Sequence, residues 1–143
     1  MRAPLTAGVF LGLIAGCADH KQIARIPAPD GSVEAVVVEG NGGATTSFWY
    51  DVYIVQPGAD YSSGPDVAYT YGSLKHDREF GVDVSWKTPT DLDVAYQSAM
   101  KTSLNYSVTT VAGKQITVAL RSECPESSAS AVPSSRGTQA DGS

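Results

Sequence analysis

Few residues of the sequence are suited to metal binding or acid–base chemistry, and the strongest candidates lie close together in one short segment. Residues 75–79 include His76, Asp77 and Glu79, which are ligand types for a transition metal. Zinc sites usually combine two such clusters, and this run has no second cluster elsewhere in the sequence. We therefore interpret it as a charged turn, and we predict neither a metal site nor a catalytic group.

The signatures of common enzyme classes are also missing from the sequence. It contains no Gly-x-Ser-x-Gly nucleophile elbow, no Walker-type phosphate loop and no His-Glu-x-x-His zinc motif. We expect no cofactor.

Three aspartates, Asp83, Asp91 and Asp93, form the other acidic group. Apolar and polar residues alternate on both sides of residues 88–90, which predicts a β-hairpin with a three-residue turn. In that register the cross-strand pairs are Lys87 with Asp91, Trp86 with Leu92, and Val84 with Val94. The three carboxylates then lie on the solvent side of the hairpin. A calcium site or an acid–base pair would need them to converge in a cleft, so we assign them to a solvated face.

The stretch 41–49 is the most distinctive candidate for a ligand site. Asn41, Gly42 and Gly43 tolerate positive φ, so the chain can turn tightly and expose backbone amides, and hydroxyl side chains follow. Such a concavity suits an anion or a polar ligand. The candidate binding residues are Gly43, Thr45, Thr46 and Trp49. The simpler interpretation is a hairpin loop whose threonine side chains satisfy the loop's own backbone.

The strand that follows this loop alternates two sets of side chains. One face carries Tyr50, Val52 and Ile54, and the other carries Trp49, Asp51 and Tyr53. The strand is therefore either central with both faces covered, which we favour, or it displays Trp49 and Tyr53 to solvent. Exposed aromatic rings beside the loop would suit glycan or protein binding.

Strand-like patterns extend over residues 29–121. Val, Tyr and Thr are abundant, Gly and Pro recur at short intervals, and no segment sustains the spacing of an amphipathic helix. Seven segments are candidate strands: 33–39, 47–55, 66–71, 79–86, 91–97, 103–110 and 114–120. The predicted fold class is all-β, a single small antiparallel β-sandwich or partly open barrel of about seven strands.

Length and charge restrict the classes of function. The chain has 143 residues, enough for one domain, and its 10 Lys and Arg against 15 Asp and Glu give a formal net charge of −5. An acidic chain without a basic patch is unsuited to the phosphate backbone. We therefore predict that nucleic acid is not a partner.

Residues 1–16 differ from the rest of the sequence. Arg2 provides a short positive start, an almost wholly apolar or small run follows, and polar residues begin directly after Cys17. This layout is typical of a secretory signal. The apolar run is well short of the ~20 residues that cross a bilayer as a helix. It predicts a processed leader or a short anchor.

Ile14, Ala15, Gly16 and Cys17 resemble the bacterial lipobox, in which an aliphatic residue and two small residues precede an invariant cysteine. The resemblance implies that the leader is cut before Cys17, that this cysteine is linked to diacylglycerol, and that its new amino group is acylated. Membrane lipid is then a partner through Cys17, held stably by two or three acyl chains. The implied location is the bacterial cell envelope, at the outer membrane facing the periplasm in a Gram-negative organism, since Ala18 rather than Asp follows the cysteine.

The predicted organisation of the chain has four parts. They are a lipoprotein signal peptide (1–16), the lipidated cysteine and a tether (17–28), the β domain (29–121) and a Ser-rich tail (122–143). The tail has few large apolar side chains, so we predict that it is disordered. It contains the second cysteine, Cys124, which is either a free thiol or pairs between chains, because a lipidated Cys17 leaves it no internal partner.

Within residues 29–55, Pro-Asp-Gly is followed by a Val-rich strand, by Gly43-Ala44-Thr45-Thr46 and by a second strand. This arrangement resembles the opening of small, uncharacterised bacterial envelope proteins. Some of those proteins have Cys before the Gly-Ala-Thr-Thr motif, where this chain has Gly42. The resemblance implies a compact β domain and no particular activity.

We expect a membrane-anchored envelope lipoprotein that acts as a non-enzymatic binding or assembly accessory. It would meet an envelope protein or a cell-wall component through a loop-rich edge over residues 43–49. A small envelope hydrolase or ligand-binding enzyme is an alternative, which requires buried polar groups that converge near His76 and Asp77. An immunity-type inhibitor is the third.

Overall fold

The computed structural model describes residues 19–74 and 79–123 of the chain. Alternation of apolar and polar side chains gives strands in these residues, and short connections separate them. The strands are β1 (Asp19–Pro27), β2 (Glu34–Asn41), β3 (Trp49–Val55), β4 (Asp66–Tyr71), β5 (Val82–Thr88), β6 (Asp91–Tyr96), β7 (Lys101–Leu104), β8 (Val108–Val111) and β9 (Lys114–Ser122). A 3₁₀ turn, Tyr61–Ser63, precedes β4. No helix within the described ranges has the length and apolar character needed to cross a membrane.

The strands form two sheets. The five-stranded sheet has the order β1-β2-β3-β4-β7, and the four-stranded sheet has the order β5-β6-β9-β8. Neighbouring strands are antiparallel except β6 and β9, which are parallel. The sheets pack face to face, so the predicted all-β sandwich is confirmed, with nine described strands rather than about seven.

The largest apolar cluster joins the inner faces of both sheets. Val52 and Ile54 of β3 pack with Leu92 of β6 and Ile116 of β9, and each of these side chains is at most 1% exposed. Because successive side chains of a strand point to opposite faces, the other side chains of β3 point away from this core. Among the described strands, none forms a second sheet over the outward side of the five-stranded sheet.

Asp19–Pro27 forms β1, so the tether predicted over residues 17–28 is wrong for these residues. Ile23 and Ile26 pack on the inner apolar side chains, and Trp86 Nε1 donates a hydrogen bond to the Ile26 carbonyl oxygen at 3.0 Å. The pairing with β2 shifts register around Ile23. This bulge interrupts the period-two alternation, and for that reason the sequence pattern did not predict a strand.

Residues 103–110, predicted as one strand, contain the crossing from one sheet to the other. β7 belongs to the five-stranded sheet and β8 to the four-stranded sheet. In the crossing, the amides of Asn105 and Tyr106 both donate to the Val67 carbonyl oxygen, at 2.9 and 3.3 Å. These bonds hold the end of β7 against β4, so the chain leaves the first sheet at this point.

The β5–β6 hairpin confirms the predicted apolar pairs, Trp86 with Leu92 and Val84 with Val94. The predicted pair of Lys87 with Asp91 is wrong, because a register shift after Trp86 brings Thr88 opposite Asp91. Thr88 Oγ1 donates to the Asp91 carboxylate at 2.7 Å. The turn is consequently shorter than the predicted three residues.

Asp93 was also predicted to lie on the solvent side with Asp83, and it is only 7% exposed. Arg121 on the adjacent β9 donates from Nε to both carboxylate oxygens of Asp93, at 3.0 and 2.9 Å. Hydrogen bonding to Asp93 raises the pKa of Arg121. Asp93 does lie on the face opposite the core residues Leu92 and Val94, as predicted, but it is not solvated. The hairpin pattern does not show that β9 supplies a countercharge beside β6. The prediction is right for Asp83, which is exposed.

Several predictions concern residues outside the described ranges. They are the leader, the lipid attachment at Cys17, the thiol of Cys124, the tail beyond Glu123, and the pair His76 and Asp77. Ser122, predicted as the first residue of the tail, is instead the last residue of β9.

Candidate functional site

The outward side of the five-stranded sheet carries an unusual set of side chains. Three cross-strand pairs between β3 and β4 form its centre: Trp49 with Tyr71, Asp51 with Tyr69, and Tyr53 with Asp66. We call these six residues the aromatic face. All are half-buried except Asp51, which is 8% exposed. Aromatic rings therefore surround two carboxylates on a broad sheet surface.

A bulge in β4 gives the aromatic face its second carboxylate. Val52 pairs with Ala68, and the register then shifts so that Tyr53 pairs with Asp66. Val67, the extra residue, is fully buried in the core between the sheets. Without the shift, alternation along β4 would not bring Asp66 opposite Tyr53 on the outward side.

The rings on this side cover apolar residues of β2. Val36 and Val38 are 0% exposed and pack with Tyr53 and with Tyr61 of the 3₁₀ turn. The two tyrosine rings contact each other with centroids 5.2 Å apart and planes at 53°. These tyrosines therefore stabilise the sheet and still present part of each ring to solvent.

Trp49 lies across the backbone of Gly40 on β2. A Cβ atom at Gly40 would be 2.0 Å from Cε2 of the indole, so only glycine permits this approach. His20 on β1 packs edge-on against the indole, with centroids 5.6 Å apart and planes at 81°. The ring is thus held in position by its neighbours.

The two carboxylates of the aromatic face are poorly compensated. Burial first, and then the nearby charge of Asp51, raise the pKa of Asp66 to about 6, against the opposing effect of a hydrogen bond from Asn105. Oδ1 of Asp66 is buried and has no hydrogen-bond partner among the described residues. Burial also raises the pKa of Asp51, against the opposing effects of His20 and of a hydrogen bond from Trp49.

The surrounding tyrosines respond to the same negative charge. Burial, and then the charges of Asp51 and Asp66, raise the pKa of Tyr53 to about 12. Burial and the charge of Asp51 also raise the pKa of Tyr69. The phenols therefore stay neutral, and the potential at the centre of the aromatic face is negative.

The predicted binding loop is largely satisfied by its own atoms. Asn41 Oδ1 accepts from the Gly43 amide at 3.0 Å, and the Gly43 carbonyl oxygen accepts from the Thr46 amide at 3.2 Å and from Thr46 Oγ1 at 3.3 Å. Gly43 has a φ of +110°, as the glycine-rich turn predicts. Thr45 is exposed. These bonds favour the hairpin-loop interpretation over an anion-binding concavity, and a binding role for the loop stays a prediction.

The loop lies at one end of the aromatic face. The Ser47 amide donates to the Tyr71 hydroxyl at 3.4 Å, and the Gly72 amide donates to the Phe48 carbonyl oxygen at 2.9 Å. Three exposed apolar residues belong to the segments that adjoin this end of β3, β4 and β7, and we call them the apolar rim: Phe48 (38% exposed), Leu74 (55%) and Met100 (76%). Met100 Sδ accepts a hydrogen bond from Ser47 Oγ at 3.9 Å and the Met100 amide donates to the Tyr71 carbonyl oxygen at 2.9 Å, so Met100 lies beside the loop and the end of β4.

A cleft of about 460 Å³ lies between the β3–β4 connection and the β8–β9 turn. Its lining is Val55, Gln56, Ala59, Ser63, Gly64, Pro65, Thr110, Val111 and Ala112, none of which is ionisable. In the described part of the chain, no group of three or more His, Cys, Asp or Glu side chains is placed to hold a metal ion. The aromatic face, by contrast, brings aromatic rings and two carboxylates together on one surface.

No known protein family, curated protein or solved structure matches the chain significantly. The functional argument therefore depends on the geometry of the aromatic face itself.

The sequence indicated part of this site. It placed Trp49, Asp51 and Tyr53 on one face of a strand, and β3 is indeed a central strand of its sheet. Neither of the two alternatives is fully met, because Asp51 is buried while both flanking rings stay half-exposed. The sequence did not indicate Asp66, since the β4 bulge puts it on this side. Nor did it place His20 here, because β1 was interpreted as a tether.

Gly40→Ala should displace the indole of Trp49. The added methyl group overlaps the ring, so we expect a loss of about 1–3 kcal/mol in the free energy of unfolding, as for other overpacked sites. The same substitution in a Trp49→Ala background should cost much less, because the overlapping ring is gone. Urea denaturation of the four proteins of this cycle measures the coupling. An equal cost in both backgrounds would contradict the contact.

Asp66→Asn should change how stability depends on pH. The pKa of Asp66 is higher in the folded chain than its ordinary value, so the parent protein loses stability as the pH rises from about 4 to about 6. Because the amide does not ionise, we expect the variant to be more stable than the parent by about 1 kcal/mol at about pH 7.5, after allowance for solvent screening. Near pH 4 the two should be alike. Asp83→Asn, at an exposed carboxylate on the other sheet, is the matched control. A variant with the parent's slope would refute the burial argument.

Proposed function

We propose that the protein is a non-enzymatic binding accessory of the bacterial envelope, anchored by lipid at Cys17. It meets an envelope protein or a cell-wall component through the aromatic face and the adjoining loop, residues 43–49. The observation that carries the proposal is the aromatic face itself, where half-exposed rings lie on the side of a sheet opposite the core.

Half-exposed tryptophan and tyrosine rings are well suited to binding. They provide a large contact area, and their side chains lose little rotational freedom because neighbours already hold them. Trp49 is fixed by Gly40 and His20, and Tyr53 is fixed by Tyr61. A partner therefore finds a preformed surface rather than one that must be ordered on binding.

The shape of the site supports a macromolecular partner. A small molecule is usually enclosed in a concave pocket, whereas the aromatic face is a sheet surface. At one end it adjoins the segments that carry the apolar rim of Phe48, Leu74 and Met100. Exposed apolar residues next to ordered aromatic rings are typical of protein interaction surfaces. An immunity-type inhibitor would be a special case of the same binding role.

Cys17→Ser should release the protein from membranes if the lipobox resemblance is correct. Without the thiol no diacylglycerol is attached, and the leader is not cut by the lipoprotein route. We expect the variant to leave the membrane fraction in flotation, or to remain with an uncut leader that mass spectrometry detects. A variant that floats with membranes and has a normally cut leader would disprove lipid anchoring.

Photo-crosslinking in cells tests the binding surface. A photoreactive phenylalanine analogue at Tyr53 should give one or more defined crosslinked species, because this ring lies within the aromatic face. The matched control is the same analogue at Thr117, which is exposed on β9 of the other sheet. Identical products from both positions, or products from Thr117 alone, would contradict the proposed surface.

A further inference from the structure

The charge and ring geometry point to the kind of partner that the aromatic face accepts. We propose that its occupant is a basic, extended segment of a protein partner, whose lysine or arginine side chains lie over the rings of Trp49 and Tyr53. This inference rests on the proposed function, because it assumes that the aromatic face is the binding surface.

Uncompensated negative charge is the first support. Among the described residues, no lysine or arginine pairs with Asp51 or Asp66. His20 on β1 opposes the rise in the pKa of Asp51. Lys101 on β7 pairs with Tyr71 at the edge of the face, and no described ion pair joins it to either aspartate. Arg25 on β1 is already paired with Glu34 and also donates to the Ala59 carbonyl oxygen at 2.7 Å. A partner that brings a cation to the two aspartates would therefore supply an ion pair that none of the described residues forms with them.

The rings are the second support. The face of an aromatic ring carries negative electrostatic potential and attracts ammonium and guanidinium groups. Here the carboxylates of Asp51 and Asp66 lie between the rings and add to that potential. An anionic ligand such as a phosphate or a nucleic acid would be repelled by the same groups. The chemistry of the face thus favours cations over neutral ligands and excludes anions.

The state of Asp66 agrees with this charge deficit. Burial and the charge of Asp51 raise its pKa to about 6, and its buried Oδ1 lacks a partner among the described residues. A cation held above the rings would stabilise both carboxylates in the ionised form. Binding and ionisation are therefore favourably coupled at this site.

The length of the face favours a peptide segment over a single small amine. Trp49, Asp51 and Tyr53 are alternate residues of one strand, so their side chains repeat at about 6.6 Å. Alternate side chains of an extended peptide have the same spacing. The apolar rim at one end, with Phe48 and Met100, would contact an apolar residue of that peptide. The predicted ligand therefore has alternate basic residues followed by an apolar one.

The experiment is isothermal titration calorimetry with the full chain in neutral lipid nanodiscs at about pH 7.5, which is above the pKa of about 6 for Asp66. The probe is an acetylated, amidated peptide of alternating lysine and threonine that ends in leucine. Its control has glutamine in place of each lysine. We expect the glutamine peptide to bind roughly tenfold or more weakly. We also expect the affinity of the lysine peptide to fall as salt rises from about 50 mM to about 500 mM.

Variants of the protein locate the effect. The double variant Asp51→Asn, Asp66→Asn should bind the lysine peptide roughly tenfold or more weakly than the parent protein does. Asp83→Asn, on the other sheet, should bind it with unchanged affinity. If the double variant does not fold, the single variant Asp66→Asn is measured instead, with a smaller expected loss.

Three results would overturn the inference. They are equal binding of the lysine and glutamine peptides, binding of the lysine peptide that the aspartate variants do not weaken, and no binding at millimolar peptide. A separate titration with chitotetraose distinguishes a neutral glycan as the occupant. Glycan binding, or crosslinking at Tyr53 in cells without peptide binding, would rule out a basic segment as the occupant. Either result would still be consistent with the proposed binding function. Absence of crosslinks at Tyr53 would remove the function itself.

Discussion

Burial of two neighbouring carboxylates sets the electrostatics of the outward side of the five-stranded sheet, and the charge of Asp51 adds to the effect of burial at Asp66. Asp51 is buried because it lies on the central strand β3. The bulge in β4 brings Asp66 to the same side of the sheet. The raised pKa values of both groups follow from this placement. So does the negative potential that the proposed basic ligand requires. The bulge is therefore the structural feature that couples the fold to the site.

The aromatic rings have two roles, because among the described strands a single sheet packs against the five-stranded sheet. On the inner side the four-stranded sheet buries Val52 and Ile54. On the outer side Tyr53 and Tyr61 cover the valines of β2, and Trp49 covers Gly40. Substitution of these rings will consequently lower stability as well as affinity. Substitution of the aspartates separates the two effects better. Removal of their charge should stabilise the folded protein, because an ionised carboxylate is no longer buried, while it weakens ligand binding.

Regular alternation made much of the fold predictable, and irregularities account for most of what was missed. Residues 66–71 were predicted as a strand and form β4 exactly, and the apolar pairs of the β5–β6 hairpin have the predicted register. The bulge around Ile23 concealed β1, and the shift after Trp86 changed the partner of Asp91. A bulge inverts the side on which later residues lie, and nothing in the local pattern marks it. The candidate site depended on such a bulge, so the sequence predicted its β3 half and not its β4 half.

The central claim is that the aromatic face holds a partly buried carboxylate, Asp66, which forms no ion pair with a described residue. A basic ligand would supply the cation. A ¹³C NMR titration of the Asp66 carboxyl carbon, with and without the alternating lysine peptide, measures this directly. The account predicts an apparent pKa of about 6 for Asp66 in the free protein and a clear decrease when the peptide is bound. An ordinary value of about 4 in the free protein, or a value that the bound peptide does not change, would contradict it.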